Sequence, residues 1–336
     1  MIKTAIIGAS GYSGAELLRL LAAREDVSVE KLVAHTSAGK SVDELYPVFT
    51  GVVDHFLEPV DGFDGEGLDI VFVALPSGEA MKTVASLSSS GVRVIDLSGD
   101  FRLTSIDLYQ QYYKHAHTAP DLLSRAVYGL PELNETSIKT ARLVANPGCY
   151  PTAATLPLLP ALKHNLIAPD NIVINSLSGT SGAGRTNNVE MSFSEINENI
   201  RAYKIGVHQH IPEIQQVLSG VAGTAVTVSF IPHLVPITRG IYTTIHAELT
   251  TPAVCSQIVE LYNDYFKNAH FIRIRKDIPN IRDVVRTNYC DIYITIEEQT
   301  NHLVLISVID NLVKGAAGQA IQNMNIMFGI SQSKGL

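Results

Sequence analysis

The chain has 336 residues, 46% of them apolar and 17% charged, and 25 Lys and Arg against 33 Asp and Glu give a net charge of −8. At roughly 150 residues per domain this length predicts two domains, and the composition excludes a disordered polyelectrolyte, broad nucleic-acid binding and, with no run of ~18 apolar residues, a membrane span. The opening Met1–Gly8 is too short and too Gly-rich for a secretory signal, and Cys149, Cys255 and Cys290 form neither a disulfide framework nor a CxxC zinc pair, so the expectation is a cytoplasmic enzyme or binding protein.

In chain order, Thr4–Ile7 reads as a buried strand and Glu16–Ala23 as a helix with its leucines on one side. Strands follow at Val29–Ala34, Asp69–Leu75, Val92–Leu97 and Arg142–Ala145, and Ser77 is placed to cap the helix after the second of these. Short Val/Ile-rich strands alternating with helices predict a parallel sheet with right-handed crossovers. After about residue 150 the texture changes. Ile172–Leu177, Ala225–Ile231, Gly240–Leu249, Cys290–Glu298 and His302–Asn311 predict strands, and the longer runs alternate more strictly, Ile292, Ile294 and Ile296 sharing one face. Such alternation predicts a largely antiparallel sheet with one buried face, turning near Thr300–Asn301. Val313–Phe328 reads as one helix ending at Gly329. The fold expected is α/β: a Rossmann-type parallel-sheet domain over residues 1–148, then an α+β domain with a largely antiparallel sheet over 149–312.

Gly8-Ala9-Ser10-Gly11-Tyr12-Ser13-Gly14 follows the first strand and opens the first helix. Glycines there permit a tight turn and close approach to a pyrophosphate held on the helix amides, so Gly8, Ser10, Gly11, Tyr12, Ser13 and Gly14 are candidate cofactor contacts. The second strand ends in Ala34-His35-Thr36-Ser37-Ala38-Gly39-Lys40, without the acidic residue that would bind a ribose 2′-hydroxyl. Ser37 and Lys40 suit a 2′-phosphate, which favours NADP.

Cys149 lies in Asn146-Pro147-Gly148-Cys149-Tyr150-Pro151-Thr152, between a strand and the helical stretch Ala153–Lys163. A thiol at a helix N-terminus meets unpaired amides and the positive dipole end, which favour thiolate and can hold an acyl oxyanion. Cys255 and Cys290 read as packing residues. A thiolate beside a nicotinamide suggests reduction of an activated acyl group through a thioester, which requires an acid/base and cations for the leaving phosphate. His208 and His210, two apart in GVHQHIPEI, point the same way if the segment is extended. Metal binding competes, without a third ligand at a supporting spacing. The 178–185 loop (SGTSGAGR) offers Ser178, Ser181, Gly182 and Arg185 to an anion; Arg102, just past a parallel strand, and Arg239 are further candidates.

These residues resemble the N-acetyl-gamma-glutamyl-phosphate reductase family of arginine biosynthesis, through GASGYSG at 8–14, LSGDFR at 97–102, NPGCYPT at 146–152, SGTSGAGR at 178–185, GVHQHIPEI at 206–214, PHLVPITRGI at 232–241 and DNLVKGAAGQAIQNMN at 310–325. The resemblance spans nearly the whole chain. It implies NADPH-dependent reduction of an acyl phosphate to N-acetylglutamate semialdehyde and phosphate, on a fold like that of aspartate-semialdehyde dehydrogenase, with residues 313–336 returning to the nucleotide domain. It implies Cys149 as nucleophile, His208 or His210 as acid/base, and Arg102 and the 178–185 loop, with Ser178 and Arg185, toward cofactor or substrate; Arg239 stays a weaker substrate candidate. Pro76, Ser77, Ser181, Gly182 and Asn311 are counted among the cofactor contacts, with 311–318 approaching the nicotinamide. A homodimer or homotetramer follows from the same resemblance. The competing readings are a sister reductase of aspartyl or carrier-linked aminoadipyl phosphate, a thiol enzyme oxidising free aldehydes with NAD, and a catalytically silent NADP-binding regulator.

Overall fold

The computed structural model describes residues 1–185 and 189–336. It forms two compact units, Met1–Pro147 with Ala316–Leu336, and Gly148–Gly315. The first unit holds strands β1 (Ile2–Ile7), β2 (Val27–Ala34), β3 (Leu57–Pro59), β4 (Ile70–Val73), β5 (Arg93–Asp96), β6 (Val127–Tyr128) and β7 (Leu143–Ala145). Their order is β3-β2-β1-β4-β5-β7-β6, and every pair is parallel. Alternation along each strand sends Ile6, Ile70 and Phe72 into one core and Ala5, Ile7, Val71 and Val73 into the other, so both faces are covered. Strand order reverses between β1 and β4, which makes the carboxyl ends of these strands the place where such sheets bind ligands.

Helix α1 (Tyr12–Ala22) buries Leu17, Leu18 and Leu21 on the first face. Helix α2 (Ala80–Ser90) covers the second with Met81, Val84 and Leu87. The Ser77 hydroxyl does not cap α2. It accepts the Gly99 N–H at 3.0 Å, while Glu79 occupies the cap position.

The second unit contains β8 (Ile172–Ser178), β9 (Arg201–Ala202), β10 (Val228–Leu234), β11 (Ile241–Glu248), β12 (Ile272–Arg275), β13 (Cys290–Glu297) and β14 (His302–Ile309), ordered β12-β13-β14-β11-β8-β10-β9. The sheet is mixed. The β11, β14 and β13 pairings are antiparallel hairpin-style ladders, whereas β8 runs parallel to β10 because the connection between them crosses over through a helix. That crossover helix is α4 (His210–Ala222); it packs with α3 (Cys149–Lys163), which also lies against β11 and β14. The turn between β13 and β14 closes with Asn301 at φ 54°, a left-handed position that asparagine tolerates.

The segment expected as one helix from Val313 divides. Val313–Ala317 is a π-helical turn and α5 (Gly318–Met327) follows. The cause is Asp310: its carboxylate accepts the Leu312 and Val313 N–H groups at 2.7 and 3.2 Å, and its carbonyl takes Gly315 N–H at 3.0 Å, one residue beyond the α-helical partner. Among the described residues no helix is long and apolar enough to cross a membrane.

Candidate active site

In the first unit, the loop between β1 and α1 is shaped by what its glycines lack. Gly8 sits at φ +86°, and a Cβ on it would strike the Ala74 carbonyl; a Cβ on Gly14 would strike that of Gly8. Gly11 occupies the N-cap position of α1 with extended backbone and no side-chain cap, so the first-turn amides carry no capping side chain. These features fit a dinucleotide pyrophosphate. Ser10 and Ser13 are half-buried, Tyr12 is exposed at the start of α1, and Tyr46 Oη donates to the Ser10 carbonyl at 2.9 Å. Lys40 is exposed and Ser37 half-buried in the turns after β2. Pro76 and Ser77 occupy the loop after β4. Arg102 is buried, its Nε donating to the Asn146 carbonyl at 2.8 Å and one Nη to the Leu97 carbonyl at 2.7 Å. It thereby ties the loops leaving β5 and β7.

In the second unit, Cys149 is the first residue of α3. Gly148, its N-cap, is extended at φ −67°, ψ 155° and offers no side-chain acceptor. A buried carboxylate supplies one instead: Glu213 on α4 accepts the Gly148 N–H at 2.8 Å. The π-helical turn brings Gly315 against the thiol residue, since a Cβ there would lie 2.8 Å from the Cys149 Cβ. Only glycine fits.

His208 and His210 are brought together, though not by an extended segment. Gln209 is already helical at φ −60°, ψ −16°, and His210 opens α4. The two rings lie 4.8 Å apart, and the His210 N–H donates to His208 Nδ1 at 3.1 Å. Tyr150, Tyr203 and Phe230 meet the His208 ring near edge-on at 5.6, 5.7 and 5.5 Å, and the Tyr150 and Tyr203 hydroxyls share a 3.0 Å hydrogen bond. Burial in this aromatic cage, aided by the Lys204 charge, lowers the His208 pKa to about 3. With Nδ1 accepting, the neutral ring carries its proton on Nε2. Burial also raises both tyrosine hydroxyls, Tyr203 to about 12, and charge on Cys149 raises them further. The thiol and the two tyrosines therefore share one electrostatic neighbourhood.

A second cluster is held by Asn311. Its amide donates to Ser181 Oγ at 2.9 Å and its carbonyl accepts Gly240 N–H at 2.8 Å, joining the 178–185 loop to the Arg239–Gly240 turn. Asp310 accepts from Arg239 Nη1 at 3.4 Å and from the Arg286 N–H at 2.7 Å. Ser178 is buried with its hydroxyl 3.1 Å from where a Gly182 Cβ would sit, and Arg185 is exposed. Glu213, Gly315, Tyr203 and Asp310 were not apparent from residue type alone. Glu213 and Gly315 had a signal each, an acid inside the apolar run Ile211–Ile214 and a glycine inside a helical pattern; Tyr203 and Asp310 had none. Among the described residues no group of three or more His, Cys, Asp and Glu side chains is placed to share a metal ion.

Two family models match the chain: the NAD binding domain of semialdehyde dehydrogenase over residues 3–141 and its dimerisation domain over 149–311. Aspartate semialdehyde dehydrogenase II from Vibrio cholerae superposes with a TM-score of 0.74 at 19% identity, covering 98% of this chain and 99% of that one. An aspartate semialdehyde dehydrogenase from Candida albicans, solved with NADP, gives 0.69 at 18% identity, with 98% of each chain covered. Fold and matched models together define a dehydrogenase of the semialdehyde dehydrogenase class. Among curated relatives, N-acetyl-gamma-glutamyl-phosphate reductase from Pelotomaculum thermopropionicum is 47% identical, covering 100% of this chain and 97% of that protein, and the same enzyme from Alkaliphilus metalliredigens is 45% identical, covering 100% and 98%. The chain belongs to the N-acetyl-gamma-glutamyl-phosphate reductase family. It is an oxidoreductase, with a dinucleotide-binding domain over residues 3–141.

Proposed function

We propose that the chain reduces N-acetyl-gamma-glutamyl phosphate to N-acetylglutamate 5-semialdehyde and phosphate, a step of arginine biosynthesis, through a thioester on Cys149. The observation that carries this reading is Cys149 at the start of α3, where no side chain caps the helix, against Gly315 and in the electrostatic neighbourhood of Tyr150 and Tyr203, the tyrosines that cage His208. The thiolate attacks the γ-acyl carbon, the C–O bond to phosphate breaks, and phosphate leaves with the bonding electrons. NADPH, when bound, supplies the hydride that turns the thioester into the aldehyde. The backbone amides at the start of α3 hold the oxyanion formed in each half-reaction, and the thiolate leaves as the second collapses.

His210 is the acid/base. His208, with its pKa lowered to about 3, is a poor proton acceptor and serves as a neutral Nε2–H donor. Ser178, Arg185, Arg239 and, in the first unit, Arg102 are assigned to the anionic groups of the substrate. Gly8, Ser10, Gly11, Tyr12, Ser13 and Gly14 hold the pyrophosphate, Ser37 and Lys40 the 2′-phosphate, and Pro76, Ser77, Ser181, Gly182 and Asn311 the remainder of the cofactor. The partition into a nucleotide domain with a returning C-terminal helix and a catalytic, dimerising domain belongs to the same reading, as do a homodimer or homotetramer and a cytoplasmic location. The semialdehyde dehydrogenase models and the biosynthetic relatives support it.

The reverse reaction tests it. N-acetylglutamate semialdehyde, phosphate and NADP together should generate NADPH absorbance, and Cys149→Ser should abolish that while leaving NADP binding intact. Full turnover by the serine variant, or turnover of aspartate semialdehyde in place of the acetylated substrate, would refute the assignment.

A further inference from the structure

Two successive loops of the first unit are clamped to each other by a carboxylate with no assigned part in binding or chemistry. The loop after β4 contains Pro76–Gly78, and the loop after β5 contains Ser98–Asp100. Ser77 Oγ accepts the Gly99 N–H at 3.0 Å. In return, both carboxylate oxygens of Asp100 accept the Gly78 N–H, at 2.8 and 3.0 Å. Asp100 is fully buried. Its Oδ1 also accepts the Tyr109 hydroxyl at 2.7 Å, and its main-chain carbonyl accepts from His117 Nε2 at 2.9 Å.

The backing is rigid. Tyr109 stacks on Tyr113 at 4.7 Å, His117 meets Tyr109 edge-on at 5.0 Å, and Gly99 lies so close to Tyr113 that a Cβ would enter its ring. The anchored residue, Gly78, is left-handed at φ +93°. A glycine in that region has many alternatives when released, and its shape persists only where surrounding contacts over-determine it. A buried carboxylate is costly unless its lone pairs are satisfied, and here they are spent on one loop amide and one hydroxyl.

We propose that Asp100 is a positioning residue for the cofactor: it fixes the Pro76–Gly78 loop in the shape that receives the dinucleotide, so that cofactor affinity depends on a buried side chain acting through Gly78. The proposal rests on the assignment of Pro76 and Ser77 to the cofactor. It makes a prediction of sign. NADPH is polyanionic, so if the Asp100 charge merely repelled it, a neutral substitution would tighten binding. A clamp loses affinity instead, because an amide replaces one acceptor oxygen with a donor facing the Gly78 N–H.

The experiment is a fluorescence titration of the full chain with NADPH, for the wild type, Asp100→Asn and Tyr109→Phe. Asp100→Asn is expected to weaken binding about tenfold, as loss of a charge-assisted hydrogen bond would. KM for NADPH should rise in parallel, while KM for the acyl phosphate and the alkylation rate of Cys149 by iodoacetamide stay within about twofold, a split that general destabilisation would not produce. Tyr109→Phe, which removes one donor and keeps the Gly78 anchor, should weaken NADPH about threefold. Unchanged or tighter NADPH binding by a folded Asp100→Asn overturns the proposal. If that variant does not fold, an unchanged Kd for Tyr109→Phe overturns it. Failure of the wild type itself to bind NADPH would overturn the nucleotide reading beneath it, and is seen before any variant is compared.

Discussion

At the scale of single residues, the neighbourhood of Cys149 holds groups whose ionisation follows from burial. His208 has a folded pKa of about 3 against an ordinary 6.5. A histidine depressed in this way favours the folded state while neutral: its contribution is complete above pH 6.5 and is lost as pH falls from there toward 3. His208→Asn keeps an acceptor for the His210 N–H and removes the titration. Stability of the wild type, measured by urea unfolding, should therefore fall more steeply with acidification than that of the variant, by up to about 1.4 kcal/mol per pH unit between these limits. Parallel pH profiles would show that His208 is not held neutral. Opposite logic governs Asp96, whose complete burial raises its carboxyl to about 7 although Ser98 donates to both oxygens.

At the scale of elements, α3 is built against helix propensity. It carries Pro157 and Pro160 in its interior and is buried along nearly its whole length. Proline at 157 has no N–H to offer the Ala153 carbonyl. The Ser307 hydroxyl on β14 donates to that carbonyl, and the Tyr262 hydroxyl donates to the Pro157 carbonyl at 2.7 Å. Ser307→Ala should thus leave a buried acceptor unpaired and lower the unfolding free energy by about 1–3 kcal/mol in denaturant titration. A loss below about 0.5 kcal/mol would mean that Ala153 finds another donor.

The apolar periods of β1, β4, β5, α1 and the β13–β14 pair are visible in sequence because each buries a continuous stripe. The short strands β3, β6, β9 and β12 are not, since, unlike the equally short β4 and β5, they hold no run of fully buried apolar residues. The site divides in the same way. Cys149 and the histidines are readable from residue type and neighbours. Glu213 and Gly315 acquire meaning only when α4 and the π-helical turn are folded against the start of α3.

At the scale of the whole molecule, both ends of the chain lie in the first unit. Arg24, buried there, donates to Asn325 at 2.7 Å and to the Lys334 carbonyl at 3.1 Å, and Asp26 pairs with Arg24 and Lys334 at 2.8 and 3.1 Å. The Arg24 guanidinium foremost, then Lys334, holds the Asp26 carboxyl far below its ordinary 3.8. A depressed carboxylate stabilises the fold above its unfolded value and loses that contribution as pH falls below about 3.8. Asp26→Asn should consequently lower the melting temperature more at neutral pH than near pH 2.5, where part of the contribution is already lost, a narrowing measurable by calorimetry. An equal deficit at both pH values would attribute the loss to packing.

The returning helix α5 sets an order in time. Ala320, Ile321 and Met324 complete the core that Ile6, Leu17 and Phe72 begin, yet a ribosome delivers them only after the whole of residues 148–315. Residues 148–315 are contiguous and can close their own sheet as soon as they emerge. The sheet of the first unit must wait for residues 316–336, with one apolar face incompletely covered throughout synthesis of the intervening unit. Throughout that interval the chain presents apolar surface that the finished fold covers, the condition under which growing chains self-associate.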